Sequence, residues 1–157
     1  MTNERTPDVH HAELGALRWN ESELAYTVHA GIGGTDARIE VIIDPDAWSE
    51  PLTETLLLDQ AASTLQRIRA QWPVIEAALR SFLVEAYTDE WRGDRPAQPP
   101  EELTRHLALE VWSVYHDGAS ELLFNDQGVD DEGLFHGHYV TVSLDADGTI
   151  SGVDLAG

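Results

Sequence analysis

Two histidines separated by one glycine, His136 and His138, are the residues whose types and spacing most directly suggest chemistry. On a strand, side chains two positions apart point to the same side, so both imidazoles could bind one divalent metal ion. Three acids come just before them and could add oxygen ligands, namely Asp130, Asp131 and Glu132. A metal held in this way, with one coordination position left open, would predict a metal-dependent hydrolase.

The same two histidines also have a purely structural interpretation. His138 is in phase with Val140 and Val142, which their alternation with polar residues assigns to the core side of a strand. A histidine in that position typically packs and forms hydrogen bonds that order a turn, and an isolated His-x-His pair is a weak motif. The sequence therefore predicts no cofactor, and a divalent metal at His136 and His138 remains the alternative.

A second kind of site would be a surface that binds another protein. Trp48 and Trp91 lie near the ends of predicted elements in polar sequence, where an aromatic side chain can stay exposed and anchor a partner. We predict that these two tryptophans bind the partner together with the acidic segment Asp130, Asp131 and Glu132. The alternative for both tryptophans is packing inside the protein.

The charge of the chain limits the kind of partner. Its 157 residues include 9 basic residues, all arginine, and 29 acidic residues, so the net charge is 9 − 29 = −20. Such a surface repels nucleic-acid phosphates and anionic lipid, which argues against binding to nucleic acid or to membranes. It attracts a basic protein, a polyamine or a divalent cation, and a basic protein is the predicted partner. A general gain in solubility would explain the same charge.

The composition is that of one folded domain. Hydrophobic residues make up 42% and charged residues 24% of the chain, which is enough apolar material for a core. The chain has no cysteine, which excludes disulfides and thiolate catalysis, and it has no apolar run of about 18 residues. The first residues lack the pattern of a signal peptide, so the expected location is cytoplasmic. We predict a single domain over residues 1–157, with residues 1–12 disordered and residues 92–100 in a loop.

The periodicity of apolar residues predicts the order of the elements. Alternation around Tyr26 and Ile39 predicts half-buried strands in the N-terminal third. After Pro51 the apolar spacing changes to three and four residues, which predicts two consecutive helices, or one kinked helix, divided near Trp72. Alternation returns after Leu107. This order predicts an α+β fold in which an antiparallel sheet of about six strands carries the two helices on one face.

The predicted strand around Trp112 has apolar residues on both faces. Strict alternation places Leu109 and Val111 on one face and Trp112 and Val114 on the other. Two apolar faces indicate either a central strand covered on both sides or a second face that contacts another molecule. The latter interpretation predicts self-association through an exposed patch that contains Trp112 or Val114.

The C-terminal part of the chain resembles a known family. A strand with Trp112 and an acidic loop after Phe124 are followed by Leu134-Phe135, Gly137-His138, an alternating strand and a terminal Leu-Ala-Gly. This pattern is similar to the bacterial Domain of Unknown Function 2262 family and is best matched over residues 103–157. The acidic insert over residues 129–132 is longer than in that family. The resemblance implies a compact bacterial α+β domain and no catalytic residues.

Three functions follow as hypotheses. No serine lies in the strand–turn–helix elbow that nucleophilic catalysis uses, which favours a non-enzymatic role. The leading hypothesis is a protein-binding or immunity-type module that binds a basic protein through an exposed acidic surface containing a tryptophan or tyrosine. The alternatives are a metal-dependent hydrolase at His136 and His138 and a structural protein that associates with itself.

Overall fold

The computed structural model describes residues 8–32, 35–42, 54–115, 117–126 and 133–156. Within them, eight strands form one sheet, and helices occupy the middle of the chain. The predicted α+β class is therefore confirmed. Trp48, Asp130, Asp131 and Glu132 lie outside the described residues.

The first four strands form a meander. They are β1 (Asp8–His11), β2 (Gly15–Asn20), β3 (Ala25–Ile32) and β4 (Thr35–Ile42), and each pairs with the next in antiparallel fashion. The sequence predicted disorder over residues 1–12, yet part of that segment forms β1. The pairing of β1 with β2 satisfies its backbone groups, and Val9 packs against the core.

The helices begin where the apolar spacing changes. They are α1 (Glu54–Ala70), α2 (Trp72–Ala86), a π-helix (Tyr87–Trp91) that continues α2, and α3 (Pro100–Arg105). The predicted division near Trp72 is present, since Gln71 separates α1 from α2. Within the described residues, none of these helices is long and apolar enough to cross a membrane.

The last four strands complete the sheet. They are β5 (Leu107–Val114), β6 (Ser120–Asp126), β7 (Tyr139–Leu144) and β8 (Ile150–Ala156). Strand order follows chain order from β1 to β8, and every neighbouring pair is antiparallel except the parallel pair of β4 with β5. The sheet has eight strands, so the prediction of about six was wrong. Apolar and polar residues do not alternate clearly in β1, an edge strand, so the periodicity of the sequence did not predict this strand.

One face of the sheet packs against the helices and forms the core. Residues of the central strands on this face, such as Ile39, Trp112 and Val142, are 0% exposed. They belong to one buried cluster with residues of both long helices, including Leu65 of α1 and Leu83 of α2. Burial of these apolar side chains supplies the main driving force for the fold, at roughly 25 cal/mol for each Å² removed from water.

A β-bulge in β5 overturns the predicted faces of that strand. The pairing with β6 shifts between Leu109 and Val111, and this shift brings Leu109 onto the same side as Trp112 and Val114. All three side chains are buried, with Trp112 at 0% and Val114 at 1% exposure. The prediction of an exposed patch containing Trp112 or Val114 was therefore wrong, because one extra residue reverses the alternation.

Candidate functional site

The π-helix that follows α2 positions Trp91. Its backbone N–H bond from Arg92 to the Tyr87 carbonyl spans five residues, 2.7 Å from nitrogen to oxygen. Such short π-helical turns occur frequently at functional sites. Tyr87 is 1% exposed and fixes the turn to the core. Trp91 is half-buried, whereas Asp89 and Glu90 are exposed just before it.

The turn that precedes β7 positions the two histidines. Leu134 and Phe135 are fully buried and fix the start of this turn. His136 has a φ of 51°, a left-handed conformation that is uncommon for a residue with a side chain, and Gly137 follows with a φ of 85°. The His138 N–H then donates to the Phe135 carbonyl over 3.1 Å. The turn thereby leaves His136 exposed and His138 half-buried.

Trp91 and the two histidines meet in space. The centroid of the Trp91 ring lies 5.7 Å from that of His136 and 5.2 Å from that of His138. The ring of Phe135 packs against Trp91, with ring centroids 5.9 Å apart and an angle of 79° between the two planes. We call Trp91, Phe135, His136 and His138 the Trp91 cluster. Edge-to-face contacts of this kind hold aromatic rings in fixed orientations.

Arg95 connects the π-helix to the turn that contains His136 and His138, which we call the histidine turn. Its Nη2 donates to the Trp91 carbonyl over 2.9 Å and to the Leu134 carbonyl over 2.8 Å. Its Nη1 donates to the Gly133 carbonyl. The guanidinium carbon lies 5.3 Å from the centre of the Tyr87 ring. One guanidinium thus bridges both segments of the Trp91 cluster, which the planar fork of an arginine suits better than a lysine ammonium.

Asp126, at the end of β6, supports the histidine turn from the other side. Its Oδ2 accepts the N–H of Phe135 over 2.8 Å. Gly133 approaches so closely that a Cβ there would lie 2.5 Å from the same oxygen. Oδ1 of Asp126 is buried and has no hydrogen-bond partner among the described residues. The turn is therefore held by a carboxylate that leaves no room for a side chain at Gly133.

Three exposed acids lie close to Trp91 in the sequence. Asp89 and Glu90 belong to the π-helix, and Asp94 lies in the following loop; all three are exposed. Trp91 is half-buried, so the π-helix and the loop after it present a partly accessible aromatic ring together with exposed carboxylates. An aromatic centre with a polar rim is typical of protein-binding surfaces.

The predicted site residues have different outcomes. Trp91, His136 and His138 were predicted for two separate sites, and the structure brings them together in one. Trp48 and the acids Asp130, Asp131 and Glu132 stay predictions, since they lie outside the described residues. Over the ranges that the structure describes, no group of three or more histidine and acidic side chains could hold a metal ion.

Asp89, Glu90 and Arg95 were missed by the sequence analysis. Asp89 and Glu90 directly precede Trp91, so their position beside a predicted anchor was a usable signal. Arg95 gave no such signal for its contact with the histidine turn, because the two acceptors there are carbonyls 38 and 39 positions further along the chain. A contact between an arginine and distant backbone oxygens has no local sequence pattern.

A second polar cluster lies on the face of the sheet that the helices leave uncovered. Glu40 contacts Arg38, and its cross-strand neighbour in β5 is Ser113. Burial raises the pKa of the Glu40 carboxyl above its ordinary value, and Arg38 opposes that shift. Burial also raises the pKa of Tyr115, with further contributions from Glu121 and Glu40. Acids thus crowd together on this face and destabilise one another's charged forms.

No family model, curated protein or solved structure matches the chain. The resemblance to the bacterial Domain of Unknown Function 2262 family therefore stays a prediction. The Trp91 cluster is a candidate site on the strength of its geometry alone.

Proposed function

We propose that this protein is a non-enzymatic protein-binding or immunity-type module that binds a basic partner through the Trp91 cluster. The observation that carries the proposal is the half-buried Trp91 beside two histidines, with Asp89 and Glu90 exposed in the same π-helix. We propose that this binding takes place in the cytoplasm of a bacterial cell.

The geometry favours Trp91 as the anchor of an interface. Binding energy in protein interfaces concentrates in a few residues, and tryptophan is among the most frequent of them. Such an anchor is most effective when it is already fixed in the free protein, because less conformational entropy is then lost on binding. Phe135 packed against the ring and Arg95 behind its backbone supply that fixation.

The exposed acids next to Trp91 in the chain favour a basic partner. Carboxylates around an aromatic centre steer a positively charged protein toward it and exclude negatively charged competitors. The net charge of −20 adds a long-range attraction for the same partners. His136 and His138 can donate or accept hydrogen bonds at the centre of the surface.

Affinity capture of partners from bacterial cells with matched variants tests this proposal. Asp89→Asn combined with Glu90→Gln should reduce capture of a basic partner by about tenfold, because each exposed charge pair contributes up to about 1 kcal/mol. Trp91→Ala should abolish capture while circular dichroism still shows a folded protein. The control combines Glu85→Gln with Glu101→Gln, which changes the charge equally at exposed positions of α2 and α3.

Two outcomes would refute the proposal. Equal losses with the control variant would show that general charge, rather than this surface, holds the partner. Unchanged capture by Trp91→Ala would show that the partner binds elsewhere.

A metal-dependent hydrolase remains the second candidate, favoured by the position of both histidines against the same tryptophan ring. Native mass spectrometry of the untagged protein, before and after a chelator, tests it. A stoichiometric zinc, manganese or nickel ion that is lost on chelation, and is absent from the His136→Ala/His138→Ala variant, would support a metal site. A mass without metal would count against tight metal binding. The same spectrum reports whether the protein is a monomer or a dimer.

A further inference from the structure

The last strand of the sheet has one side that no described strand covers. β8 (Ile150–Ala156) lies at an edge of the sheet and pairs only with β7 among the described residues. An edge strand presents a row of backbone N–H and C=O groups that can pair with a strand of another molecule. Proteins commonly block such edges with lysine, proline or a very short strand. β8 has seven residues and contains neither lysine nor proline.

The opposite edge of the sheet is less suited to pairing with another strand. β1 forms that edge, has only four residues, and includes Asp8, His10 and His11. Nε2 of His11 also lies 2.7 Å from Oδ1 of Asp59 in α1, so this short strand is held to a helix by a side chain. We therefore expect an added strand at β8 and not at β1.

The two faces of β8 define the chemistry of a strand that could pair with it. The pairing with β7 is regular over residues 152–156, whereas Ser151 is skipped. Within this regular part, Val153 and Leu155 are half-buried against the core, and Asp154 is exposed on the opposite face. Residues directly opposite in paired strands share a face, so an added strand should place apolar residues beside Val153 and Leu155 and a basic residue beside Asp154.

Charge argues against a second copy of this chain as the added strand. Residues 152–156 are centred on Asp154, so antiparallel pairing of two copies over this regular part would place each Asp154 directly opposite the other. Like charges in that arrangement destabilise a strand pair. Each copy also has a net charge of −20, which adds long-range repulsion. A basic segment is instead attracted both by Asp154 and by the net charge.

One end of β8 lies close to the histidine turn. Ala156 pairs with Tyr139, and Tyr139 directly follows His138 in the chain. Neighbouring strands are separated by only about 4.8 Å. An extended segment paired with β8 would therefore have one end near the surface that we propose for the basic partner.

We propose that β8 binds an extended segment of a basic protein, in which basic and apolar residues alternate, as an added strand at the edge of the sheet. Backbone hydrogen bonds to β8 supply the affinity, and the alternating side chains supply the specificity. This binding does not require the Trp91 cluster, so its test is separate from that of the proposed function.

Titration by ¹⁵N nuclear magnetic resonance tests the proposal, since a chain of 17.4 kDa gives resolved amide spectra. The probe is the capped peptide Lys-Val-Lys-Thr-Lys-Val-Lys, which has the length of β8. Saturable shifts should be concentrated in β7 and β8, with a Kd below about 1 mM. A peptide with glutamate in place of every lysine should bind at least about tenfold more weakly.

N-methylation of the peptide separates strand pairing from simple charge attraction. The amides of alternate residues in a strand point to the same edge, so methylation of either the lysine amides or the intervening amides blocks one edge of the peptide. One of these two peptides should bind at least about tenfold more weakly, and the other should bind within about threefold of the unmodified peptide. Simple ion pairing would not distinguish them, because their charges are identical.

Asp154→Asn should weaken binding of the unmodified peptide by about threefold to fivefold, as expected for one exposed ion pair. Glu110→Gln is the matched control, since it removes one exposed carboxylate from β5. At about 4.8 Å for each strand, β5 is further from β8 than the Debye length of about 8 Å, so this variant should bind as the wild type does. Trp91→Ala should also bind the peptide fully, which distinguishes a failure at β8 from a failure of the Trp91 cluster.

Four results would overturn the proposal. The first is the absence of saturable shifts in β7 and β8, and the second is equal binding of the two N-methylated peptides. The third is full binding by the Asp154→Asn protein. The fourth is a dimer of the free protein, measured by sedimentation, in which β8 amides are protected from hydrogen exchange, because a second copy would then occupy the edge.

Discussion

At the scale of residues, the Trp91 cluster depends on a few groups with specific geometry. Arg95 donates to four backbone carbonyls from two segments, and His136 adopts a conformation that glycine would adopt more easily. Backbone strain of this kind occurs most often at functional sites, where the surrounding structure compensates for it.

Arg95→Lys should destabilise the protein by about 1–3 kcal/mol. A lysine ammonium keeps the charge but cannot reach the Trp91, Gly133 and Leu134 carbonyls from one planar group, so buried acceptors lose their donors. Urea denaturation measures the loss. Arg105→Lys, at a side chain that is 71% exposed, is the control and should change stability by less than about 0.5 kcal/mol. Equal effects of the two changes would contradict the bridging role of Arg95.

His136→Gly should be more stable than His136→Ala by about 1 kcal/mol. Both variants lose the imidazole and its contacts, so the difference isolates the cost of a Cβ at a φ of 51°. Thermal denaturation of the two proteins measures this difference. If alanine were as stable as glycine, the left-handed conformation would not be strained.

Glu40→Gln should stabilise the protein at neutral pH. Burial and the neighbouring Glu23 raise the pKa of Glu40 above its ordinary value of 4.5, so the folded protein holds this proton more tightly than the unfolded chain does. Ionisation of Glu40 therefore costs stability above the folded pKa, and this cost disappears as the pH falls through the folded pKa toward 4.5. The melting temperatures of variant and wild type should differ at pH 7 and converge below about pH 4.5. A larger advantage of the variant at low pH would reverse the assigned sign.

At the scale of elements, the turn between β7 and β8 connects the last strand to the helices through a hydrogen bond. Gln71, between α1 and α2, donates to the Gly148 carbonyl over 2.9 Å. Asp147 accepts the Thr149 N–H within the turn over 2.9 Å, and this bond holds the pKa of the Asp147 carboxyl below its ordinary value. The helix junction and the hairpin turn therefore fix each other.

Gly148→Ala should cost more stability than Gly15→Ala. Both glycines have a φ of 89°, so both substitutions carry the same backbone strain of about 1–2 kcal/mol. A Cβ at Gly148 would lie 2.9 Å from Nε of Arg67, whereas at Gly15 it would meet nothing within 4 Å. Chemical denaturation of both variants gives the cost of crowding as their difference. Equal costs would show that Arg67 moves aside freely.

Elements were predicted from sequence where the apolar pattern is regular. The spacing in α1 and α2 is regular, and the break near Trp72 follows from the adjacent proline. The faces of β5 were predicted wrongly, because the sequence does not show that a bulge interrupts the alternation between Leu109 and Val111. Trp112 and Val114 consequently lie in the core instead of on a self-association surface.

At the scale of the whole molecule, a net charge of −20 acts on an eight-stranded sheet packed against helices. Like charges on a compact surface repel one another and destabilise the folded state, and salt screens that repulsion. The same field favours basic partners. The net charge thus lowers the stability of the folded state, while it increases solubility and the attraction of basic partners.

The melting temperature should rise when sodium chloride is increased from about 0.01 M to about 0.15 M, since the Debye length falls from about 30 Å to about 8 Å. Differential scanning calorimetry measures the change. Sucrose at equal osmolarity is the control for effects that do not depend on charge. A melting temperature that falls with salt would show that attractive ion pairs outweigh the repulsion.

The sequence by itself determined the charge, the class of the fold and the helix–strand order, because these depend on composition and local periodicity. It also indicated Trp91, His136 and His138 as single residues of interest. Only the tertiary structure decided that they form one surface, because Arg95 and its acceptor in the histidine turn are 39 positions apart in the sequence. The strand count and the bulge at Glu110 were likewise decided by pairing between strands, which local patterns do not encode.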